Sequence, residues 1–340
     1  MTTTGSMKTS IPPAHEHPFA QFVRILGKGK KGSRSLTEDE AYRAMHMIMG
    51  GEVEDVQLGA FLMLLRVKEE SAEELLGFVK AVRESIRPAN PVAVDLDWSS
   101  YAGKRRHLPW YLFTIFLLAA NGTRVLVHGA SGHTIDRIYT EDVLRDLGFP
   151  VAGQWQECAG QLDSQGFSYF PLKNLCPRLH QIIELRNTLG LRSPVHTLSR
   201  LLNPADAPCV IQGIFHPGYR PVHQLTAQAL GYSRVDVIKG EAGEIERNPD
   251  IECLVQSVRD NALVDATWPA HFSKRHVKEE TLNLTTFVDV WRGKIRHEYG
   301  EAAVTGTLAI ALMLLGRADT QEAAELLAQQ LWQDRDRALL

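Results

Sequence analysis

The sequence predicts an α/β protein in which a small helical domain precedes a larger domain with a mainly parallel sheet. The first third of the chain carries helix-start signals and the apolar spacing typical of helices. Farther on, short β-branched runs at 124–127, 209–213 and 235–238 alternate with helical stretches. Such alternation is typical of a parallel sheet covered by helices on both faces. Residues 302–331 return to a helical pattern.

Two helix starts in the first third have the capping-box pattern, in which a hydroxyl residue precedes a glutamate by three positions. Thr37 precedes Glu40, and Ser71 precedes Glu74. Between them, residues 56–67 are apolar on nearly every helical face, which predicts a buried helix.

The length, charge and cysteine content of the chain exclude several classes of protein. The 340 residues allow two domains, and a net charge of -3 excludes a globally basic protein but permits a local basic face. The four cysteines lie far apart without ligand spacing, so no metal ligand is assigned. The longest apolar run, 110–120, is too short to cross a membrane. Few cysteines and no secretory signal predict a cytoplasmic protein, and residues 1–17 are predicted to be a disordered leader.

Five motifs and a helical ending occur in an order that is specific. They are DVQLGAFL at 55–62, VHGAS at 127–131, LGLRSPVH at 189–196, LLNP at 201–204 and GEAGEIE at 240–246, followed by helical sequence after Glu301. Together they resemble the anthranilate phosphoribosyltransferase family, which is glycosyl transferase family 3.

The resemblance implies a nucleoside phosphorylase/phosphoribosyltransferase-like fold. It places residues 18–88 and 173–202 in a helical dimerisation domain, and residues 91–170 and 205–335 in an α/β domain. It also implies a homodimer formed through the helical domain.

The same resemblance implies transfer of a phosphoribosyl group from phosphoribosyl pyrophosphate, held by a Gly-Thr-Gly-Gly-Asp loop, a lysine and a magnesium-binding Asp-Glu pair. This chain departs at all three places. Residues 97–107 (DWSSYAGKRRH) replace the loop, Val127 replaces the lysine, and Ile245 replaces the aspartate, which leaves Glu246 alone. We therefore expect little or no transferase activity and no cofactor, with magnesium needed only if the chain is a transferase.

Two basic segments instead favour nucleic acid as the partner. GKGKKGSR at 27–34 combines flexible glycines with four cations, and residues 104–106 lie close in sequence to Trp98, Tyr101 and Trp110. Cations beside aromatic rings suit single strands, whose phosphates and bases both find a partner. The chain thus resembles a branch of the family that keeps the fold and binds nucleic acid. The predicted contact residues are Lys28, Lys30, Lys31, Arg34, Lys104, Arg105 and Arg106.

A candidate site for a small anion follows the strand at 124–127, in the cleft that the resemblance places between the domains. Backbone N–H groups and hydroxyls of such a turn can bind an anion. The candidate residues are His128, Gly129, Ser131, His133, Thr134 and Arg192. Two plainer interpretations stay open: the glycines serve only the shape of the turn, and Arg192 forms a structural ion pair.

The sequence is compatible with three functions. The main prediction is a homodimer that binds DNA or RNA without sequence specificity and in a salt-sensitive way, with no catalytic residue assigned. The alternative is a glycosyl or phosphoribosyl transferase acting on an aromatic acid or a nucleobase. The third is a structural or regulatory dimer that binds a protein or a small anion.

Overall fold

A computed structural model describes residues 16–29, 31–277, 279 and 281–340. Only residues 16 and 17 of the expected leader fall within this range. Four helices begin the described chain: α1 (Ala20–Gly27), α2 (Glu38–Met49), α3 (Asp55–Lys68) and α4 (Ala72–Ile86).

Both predicted capping boxes are present. Thr37 Oγ1 accepts from the Glu40 N–H at 3.3 Å, and the Thr37 N–H donates to Glu40 Oε2 at 2.9 Å. At α4, Ser71 Oγ accepts from the Glu74 N–H at 3.2 Å, and the Ser71 N–H donates to Glu74 Oε2 at 2.9 Å. Each box satisfies helix-terminal N–H groups that would otherwise lack partners.

The prediction that residues 56–67 form a buried helix is wrong for one face of α3. The residues facing α1 and the core are buried, whereas Val56 is 79% exposed and Val67 is 82% exposed. These two valines are eleven positions apart, about three helical turns, and so share one face. Apolar composition did not reveal that only one side of the helix is covered.

The described chain contains seven strands in one sheet. They are β1 (Leu96–Ser100), β2 (Val125–Gly129), β3 (Phe167–Pro171), β4 (Cys209–Gly213), β5 (Arg234–Ile238), β6 (Cys253–Arg259) and β7 (Ala262–Trp268). Their order in the sheet is β3-β2-β1-β4-β5-β6-β7. The first five in this order are mutually parallel, and β6 and β7 form an antiparallel hairpin at one edge. The predicted mainly parallel sheet is therefore confirmed.

Helices connect and flank these strands. They are α5 (Tyr111–Ala120), α6 (Thr140–Asp146), α7 (Trp155–Gln165), α8 (Leu172–Leu175), α9 (Pro177–Glu184), α10 (Arg186–Leu189), α11 (Val195–Leu198), α12 (Arg220–Ala229), α13 (Leu284–Trp291), α14 (Glu298–Leu314) and α15 (Gln321–Gln333). The segment α8–α11 packs against the N-terminal helices, where Arg178 Nε donates to the Ile48 carbonyl at 3.1 Å. No helix in the described ranges is long and apolar enough to cross a bilayer.

The sheet separates two hydrophobic cores. In β2, Leu126 packs into the core shared with the N-terminal helices, while Val125 and Val127 pack into the core that contains α5, α14 and α15. Successive strand residues point to opposite faces, which explains this division. The carboxyl ends of β1, β2, β4 and β5 meet at one edge, the usual place for a ligand site in an open parallel sheet.

Candidate anion-binding site

The loop after β1 is anchored by a buried ion pair. Neither the Lys104 side chain nor the Glu246 side chain has exposed surface, and the Lys104 ammonium pairs with Glu246 Oε1. Glu246 Oε2 accepts from the Tyr111 N–H at 3.0 Å. Burial, the largest influence, raises the pKa of Glu246, and the Lys104 ammonium opposes that rise. The loop is thereby tied to the segment after β5.

A second buried carboxylate occupies the loop itself. Glu244 Oε1 accepts from the N–H groups of Ala102 and Gly103, both at 2.6 Å, and Glu244 Oε2 accepts from Ser100 Oγ at 2.8 Å. The side chain is fully buried. Within the described ranges, no Lys, Arg or His nitrogen lies within 4.0 Å of this carboxylate. Its negative charge is therefore held by backbone N–H groups and one hydroxyl.

Two glycines allow Glu244 to reach this position. A Cβ atom on Gly213 would lie 2.6 Å from the Glu244 carbonyl carbon, and one on Gly240 would lie 1.5 Å from the Glu244 carbonyl oxygen. Real Cβ atoms do not approach that closely, so the backbone around Glu244 depends on both glycines.

Four arginines surround the loop and the turn after β2, and we call them the arginine cluster: Arg137, Arg186, Arg192 and Arg200. Arg137 Nη1 donates to the carbonyls of Ala102 at 2.7 Å and Gly103 at 3.1 Å. Arg200 is buried, and its Nε donates to the Gly213 carbonyl at 3.0 Å. These bonds position the guanidinium groups through neutral carbonyls.

The other two guanidinium groups converge on Thr134. Arg186 donates to Thr134 Oγ1 and, at 2.5 Å, to the His133 carbonyl. Arg192 Nη2 lies 3.5 Å from the same Oγ1 atom. The interpretation of Arg192 as a structural ion pair is not supported, because no carboxylate among the described residues lies within 4.0 Å of it.

No carboxylate among the described residues lies within 4.0 Å of a guanidinium group of the arginine cluster, although the charge of Glu244 acts on Arg137 and Arg200. Burial, followed by the charges of Arg137, Arg200 and Arg186, lowers the pKa of Arg192 to about 10. Burial likewise lowers the pKa values of Arg137 and Arg200. Guanidinium groups that repel one another in a partly buried place would be stabilised by an incoming anion.

Buried histidines beside the cluster are neutral. Burial lowers the pKa of His133 to about 4, and it lowers the pKa of His196 well below its ordinary value. His133 Nε2 lies 2.8 Å from the Tyr101 carbonyl. His196 is 6% exposed, and its Nε2 has no hydrogen-bond partner among the residues that the structure describes. That nitrogen is buried and lacks a partner within the described part of the chain.

A pocket opens next to His196, and we call it the arginine pocket. Cationic, neutral polar and aromatic side chains line it together with one acid, Glu70. The others include Arg66, Arg192, Arg200, His196, Phe215 and Tyr219. Phe215 is 50% exposed and presents an aromatic surface. Such a lining suits a small ring that carries an acidic group.

This chain is similar in fold to proteins of known structure. Residues 21–86 match the family model described as the glycosyl transferase family, helical bundle domain. An anthranilate phosphoribosyltransferase of Thermus thermophilus superposes with a TM-score of 0.75 at 21% identity, with 93% of this chain and 94% of that chain covered. The Saccharomyces cerevisiae enzyme, in complex with PRPP and Mg, also gives 0.75 at 14% identity, with 93% of each chain covered. The chain has the anthranilate phosphoribosyltransferase fold.

Sequence relatives agree with this fold. An anthranilate phosphoribosyltransferase of Burkholderia mallei (strain SAVP1) is 29% identical over 256 residues, 74% of each chain. An uncharacterized protein of Aquifex aeolicus (strain VF5) is 29% identical over 243 residues, 71% of this chain and 73% of its own.

The predicted nucleic-acid residues fall into three groups on this fold. Lys104 must be removed from the set, because its ammonium is buried against Glu246. Arg34 is neutralised by two bonds to Glu40, at 2.6 and 2.7 Å, and Arg34 in turn lowers the pKa of Glu40 to about 2. The exposed members with no carboxylate within 4.0 Å among the described residues are Lys28, Lys31, Arg105 and Arg106. Lys30 lies outside the described residues.

Two of the predicted anion-binding residues, His128 and Gly129, have structural roles. His128 is a fully buried core residue between Tyr101 Oη, 2.7 Å from its Nδ1, and Asp97 Oδ2, 3.3 Å from its Nε2. A Cβ on Gly129 would lie 1.9 Å from the Ser100 carbonyl oxygen, so this glycine serves close packing.

The remaining candidates lie at two different places. Ser131 lines a separate pocket with Glu141 and Lys173. The backbone of His133 and the side chains of Thr134 and Arg192 lie together in the arginine cluster.

Sequence reasoning missed the residues that shape the site most. They are Arg66, Arg137, Arg186, Arg200 and Glu244. One signal was available for Glu244. It follows strand β5 by six positions, at the carboxyl edge of the sheet where the loop after β1 also begins. The arginines come from four separate segments and share no motif.

Proposed function

We propose that this chain is a transferase of the phosphoribosyltransferase class whose acceptor is an aromatic acid or a nucleobase bound in the arginine pocket. The observation that carries the proposal is the place of Arg192, which has no carboxylate within 4.0 Å among the described residues, in one pocket with Arg200 and the aromatic ring of Phe215. A guanidinium fork matches a carboxylate in geometry and charge. The curated relatives over 74% of the chain, themselves anthranilate phosphoribosyltransferases, support the same reaction class.

The neutral state of His196 adds to this argument. In the neutral ring Nδ1 donates to the Ser193 carbonyl at 3.2 Å, so Nε2 is the nitrogen that can accept a hydrogen bond. The His196 residue lines the pocket, and its Nε2 is buried without a hydrogen-bond partner among the described residues. An acceptor with both an acidic group and a ring nitrogen or amine therefore finds complementary partners.

The reaction would join an acceptor nitrogen to C1′ of the donor as the bond from C1′ to pyrophosphate breaks. Pyrophosphate leaves with the bonding electrons, and the acceptor releases its proton to water. The loop N–H groups of Ala102 and Gly103 now hold the Glu244 carboxylate. Transfer therefore requires Glu244 to leave these groups when the donor binds.

The residues present do not fit magnesium. Glu246, the remaining acid of the pair suggested by the resemblance, already faces the Lys104 ammonium. Among the described residues, no group of three or more His, Cys, Asp or Glu side chains could hold a metal ion.

The test is calorimetric titration of aromatic acids and nucleobases into the full chain, followed by a pyrophosphate-release assay with phosphoribosyl pyrophosphate. We expect at least one acceptor to bind and to release pyrophosphate. The Arg192→Ala variant should bind it about tenfold or more weakly, since a charge-assisted bond contributes about 1.5–3 kcal/mol. The Arg296→Ala variant, which removes an exposed arginine elsewhere, is the matched control. Failure of every acceptor to bind would refute the proposal.

A second candidate function is nonspecific binding of nucleic acid. The observation that favours it is the exposed pair Arg105 and Arg106 on the loop after β1, together with Lys28 and Lys31 after α1. Occupation of the loop N–H groups by Glu244 is also consistent with a chain that binds no pyrophosphate.

Salt dependence tests this second candidate. A gel-shift series with single-stranded DNA and RNA at several salt concentrations should show a steep loss of affinity with salt. The double variant Arg105→Ala/Arg106→Ala should reduce the salt slope by up to about two units. A double variant at Arg296 and Arg317, which removes the same charge, should leave the slope unchanged. Equal slopes for both double variants would exclude the loop as a contact.

We also propose that the chain is a homodimer joined through α3. Val56, Ala60, Met63 and Val67 follow the i, i+4, i+7, i+11 spacing of one helical face, and Val56 and Val67 are about four-fifths exposed. An apolar stripe in water favours association with a second copy. Light scattering should give twice the 38.0 kDa chain mass, and Val56→Glu should give a folded monomer. A wild-type monomer at micromolar concentration would contradict this proposal.

A further inference from the structure

We infer that the arginine pocket takes a nitrogen heterocycle with at least two N–H groups, such as an oxopurine or oxopyrimidine base, and that Glu70 is the residue that selects it. The inference rests on the proposed function, because it names the acceptor class for the same pocket. It favours a nucleobase over an aromatic acid, a choice that the arginines alone leave open.

Four residues that line the arginine pocket each carry a buried polar atom without a hydrogen-bond partner among the described residues. The atoms are Glu70 Oε2, Ser193 Oγ, His196 Nε2 and Tyr219 Oη. Buried polar atoms in folded proteins nearly always have a partner, because leaving one without a partner costs stability. A ligand that forms hydrogen bonds with several of these atoms would recover that cost.

Two of these four atoms are hydrogen-bond acceptors only. His196 Nδ1 donates to the Ser193 carbonyl at 3.2 Å, which leaves Nε2 of the neutral ring as an acceptor. An ionised glutamate such as Glu70 has no N–H or O–H group to donate, whereas the hydroxyls of Ser193 and Tyr219 can donate or accept. A ligand that pairs with both acceptors must therefore bring two hydrogen-bond donors. A simple aromatic carboxylate has none, whereas an oxopyrimidine or oxopurine ring has at least two N–H groups.

Glu70 lies in the turn between α3 and α4, where it is 5% exposed. No Lys, Arg or His nitrogen within the described ranges lies within 4.0 Å of its carboxylate. Burial, the largest influence, raises the pKa of Glu70, and the charge of Arg66 opposes that rise. An N–H group of a ligand would stabilise the ionised carboxylate. Because Oε2 is buried, the ligand meets it after the carboxyl group turns about its terminal bond, a torsion with a broad minimum in glutamate.

The backbone before Glu70 is held in an uncommon conformation. Glu69 has a φ of +66°, in the left-handed region that residues other than glycine rarely adopt. Such a conformation persists only where the surrounding structure holds the backbone in place. Glu69 is exposed, whereas Glu70 is buried in the lining of the pocket. The two neighbouring acids therefore form a matched pair for mutation.

The other side chains of the pocket suit the remaining groups of such a base. Arg192 can donate to a carbonyl oxygen of the ring, and no carboxylate among the described residues competes for it within 4.0 Å. Phe215 is 50% exposed and offers an aromatic face on which a flat ring can stack. A base with both N–H and C=O groups satisfies Arg192 and Glu70 together, whereas an aromatic acid satisfies only the arginines.

Calorimetric titration of matched ligand pairs into the full-length wild type tests the ligand class. The pairs are uracil with 1,3-dimethyluracil and xanthine with 1,3,7-trimethylxanthine, and benzoate represents the aromatic acids. At least one base should bind, and its methylated counterpart, which keeps the ring and the carbonyl oxygens but has no N–H group, should bind about tenfold or more weakly. Benzoate should also bind more weakly than that base. Failure of both bases to bind, equal affinity within each pair, or tighter binding of benzoate would overturn the inference.

A variant pair tests the role of Glu70. Glu70→Gln keeps the side-chain shape but replaces one acceptor oxygen with an NH2 group, so it should bind the base about tenfold or more weakly. Glu69→Gln removes the same charge one position earlier and should match the wild type. Unchanged affinity in Glu70→Gln, or an equal loss in Glu69→Gln, would overturn the assignment. The ligand pairs in the wild type decide the ligand class even if Glu70→Gln does not fold.

Pyrophosphate release separates this inference from the proposed function. Binding of a base that depends on Glu70, without pyrophosphate release from phosphoribosyl pyrophosphate, would refute the transferase and support the inference. Pyrophosphate release with an aromatic acid alone would support the transferase and refute the inference.

Discussion

Lys104 and Glu246, 142 residues apart in the chain, form an ion pair in which neither side chain has exposed surface. The pair joins the loop after β1 to the segment after β5. Because of this pair, Lys104 stabilises the fold, although it belongs to the basic run 104–106. The charge that the loop presents to a partner is therefore that of Arg105 and Arg106.

Replacement of Lys104 by methionine should destabilise the fold strongly. Glu246 would keep its buried position without a counter-charge, and breaking a buried pair in this way costs about 3–5 kcal/mol. Urea unfolding measures the effect. The double variant Lys104→Met/Glu246→Leu should recover most of the loss, and a single variant within about 1 kcal/mol of wild type would contradict the prediction.

Magnesium should neither stabilise the chain nor strengthen ligand binding in the arginine pocket. The Lys104 ammonium already compensates the charge of the Glu246 carboxylate. A divalent cation would therefore bind Glu246 only weakly. Thermal melting with millimolar magnesium or with a chelator should agree within about 1 °C. A clear rise in melting temperature with magnesium would show that the ion pair opens to admit a metal.

Stability should fall as the pH is lowered from about 6.5 toward 4. Burial lowers the pKa of His133 to about 4 and that of His223 to about 3. Both folded-state values lie below the unfolded value of about 6.5, so in this window the unfolded chain binds more protons than the folded chain. Stability is then present above the unfolded pKa and is lost as the pH falls.

Denaturant unfolding at several pH values checks this dependence. His133→Gln should flatten the curve between pH 6.5 and 4, whereas His46→Gln, at an exposed position, should leave it unchanged. An identical pH dependence in the wild type and His133→Gln would rule out His133 as a source.

Loss of the cap at α4 should be moderately destabilising. The Ser71 hydroxyl accepts from the Glu74 N–H at 3.2 Å, and removing an N-cap hydroxyl costs about 1 kcal/mol. Ser71→Ala should show this loss in urea unfolding. Ser164→Ala is the matched control, because that hydroxyl bonds the Gly160 carbonyl inside α7 and caps no helix start. Equal effects of the two substitutions would contradict the assigned role of the cap.

Much of the fold was predictable because its signals are local. The capping boxes at Thr37 and Ser71 join groups three positions apart, and the apolar run 110–120 became the buried helix α5. The hairpin of β6 and β7 was not predicted, and neither were β1 and β3. The exposed face of α3 escaped prediction because apolar composition does not say what covers a helix.

The site was less predictable because its chemistry depends on contacts between distant segments. Arg192 was found through a motif, and the structure places it among three further arginines from other elements. Lys104 belonged to a basic run in the sequence. Only its contact with Glu246 showed that a buried carboxylate compensates its positive charge.

By itself, the sequence determined the helix starts, the alternation of strands and helices, and the ordered motifs of the fold, since each depends on residues within one element or on their order. Only the tertiary structure decided which charges face water and which face one another. Sheet order brings the ends of β1 and β5 to one edge with β4 between them, and there Glu244 meets the N–H groups of Ala102 and Gly103. A charge buried by such a long-range contact has no signature in the surrounding sequence.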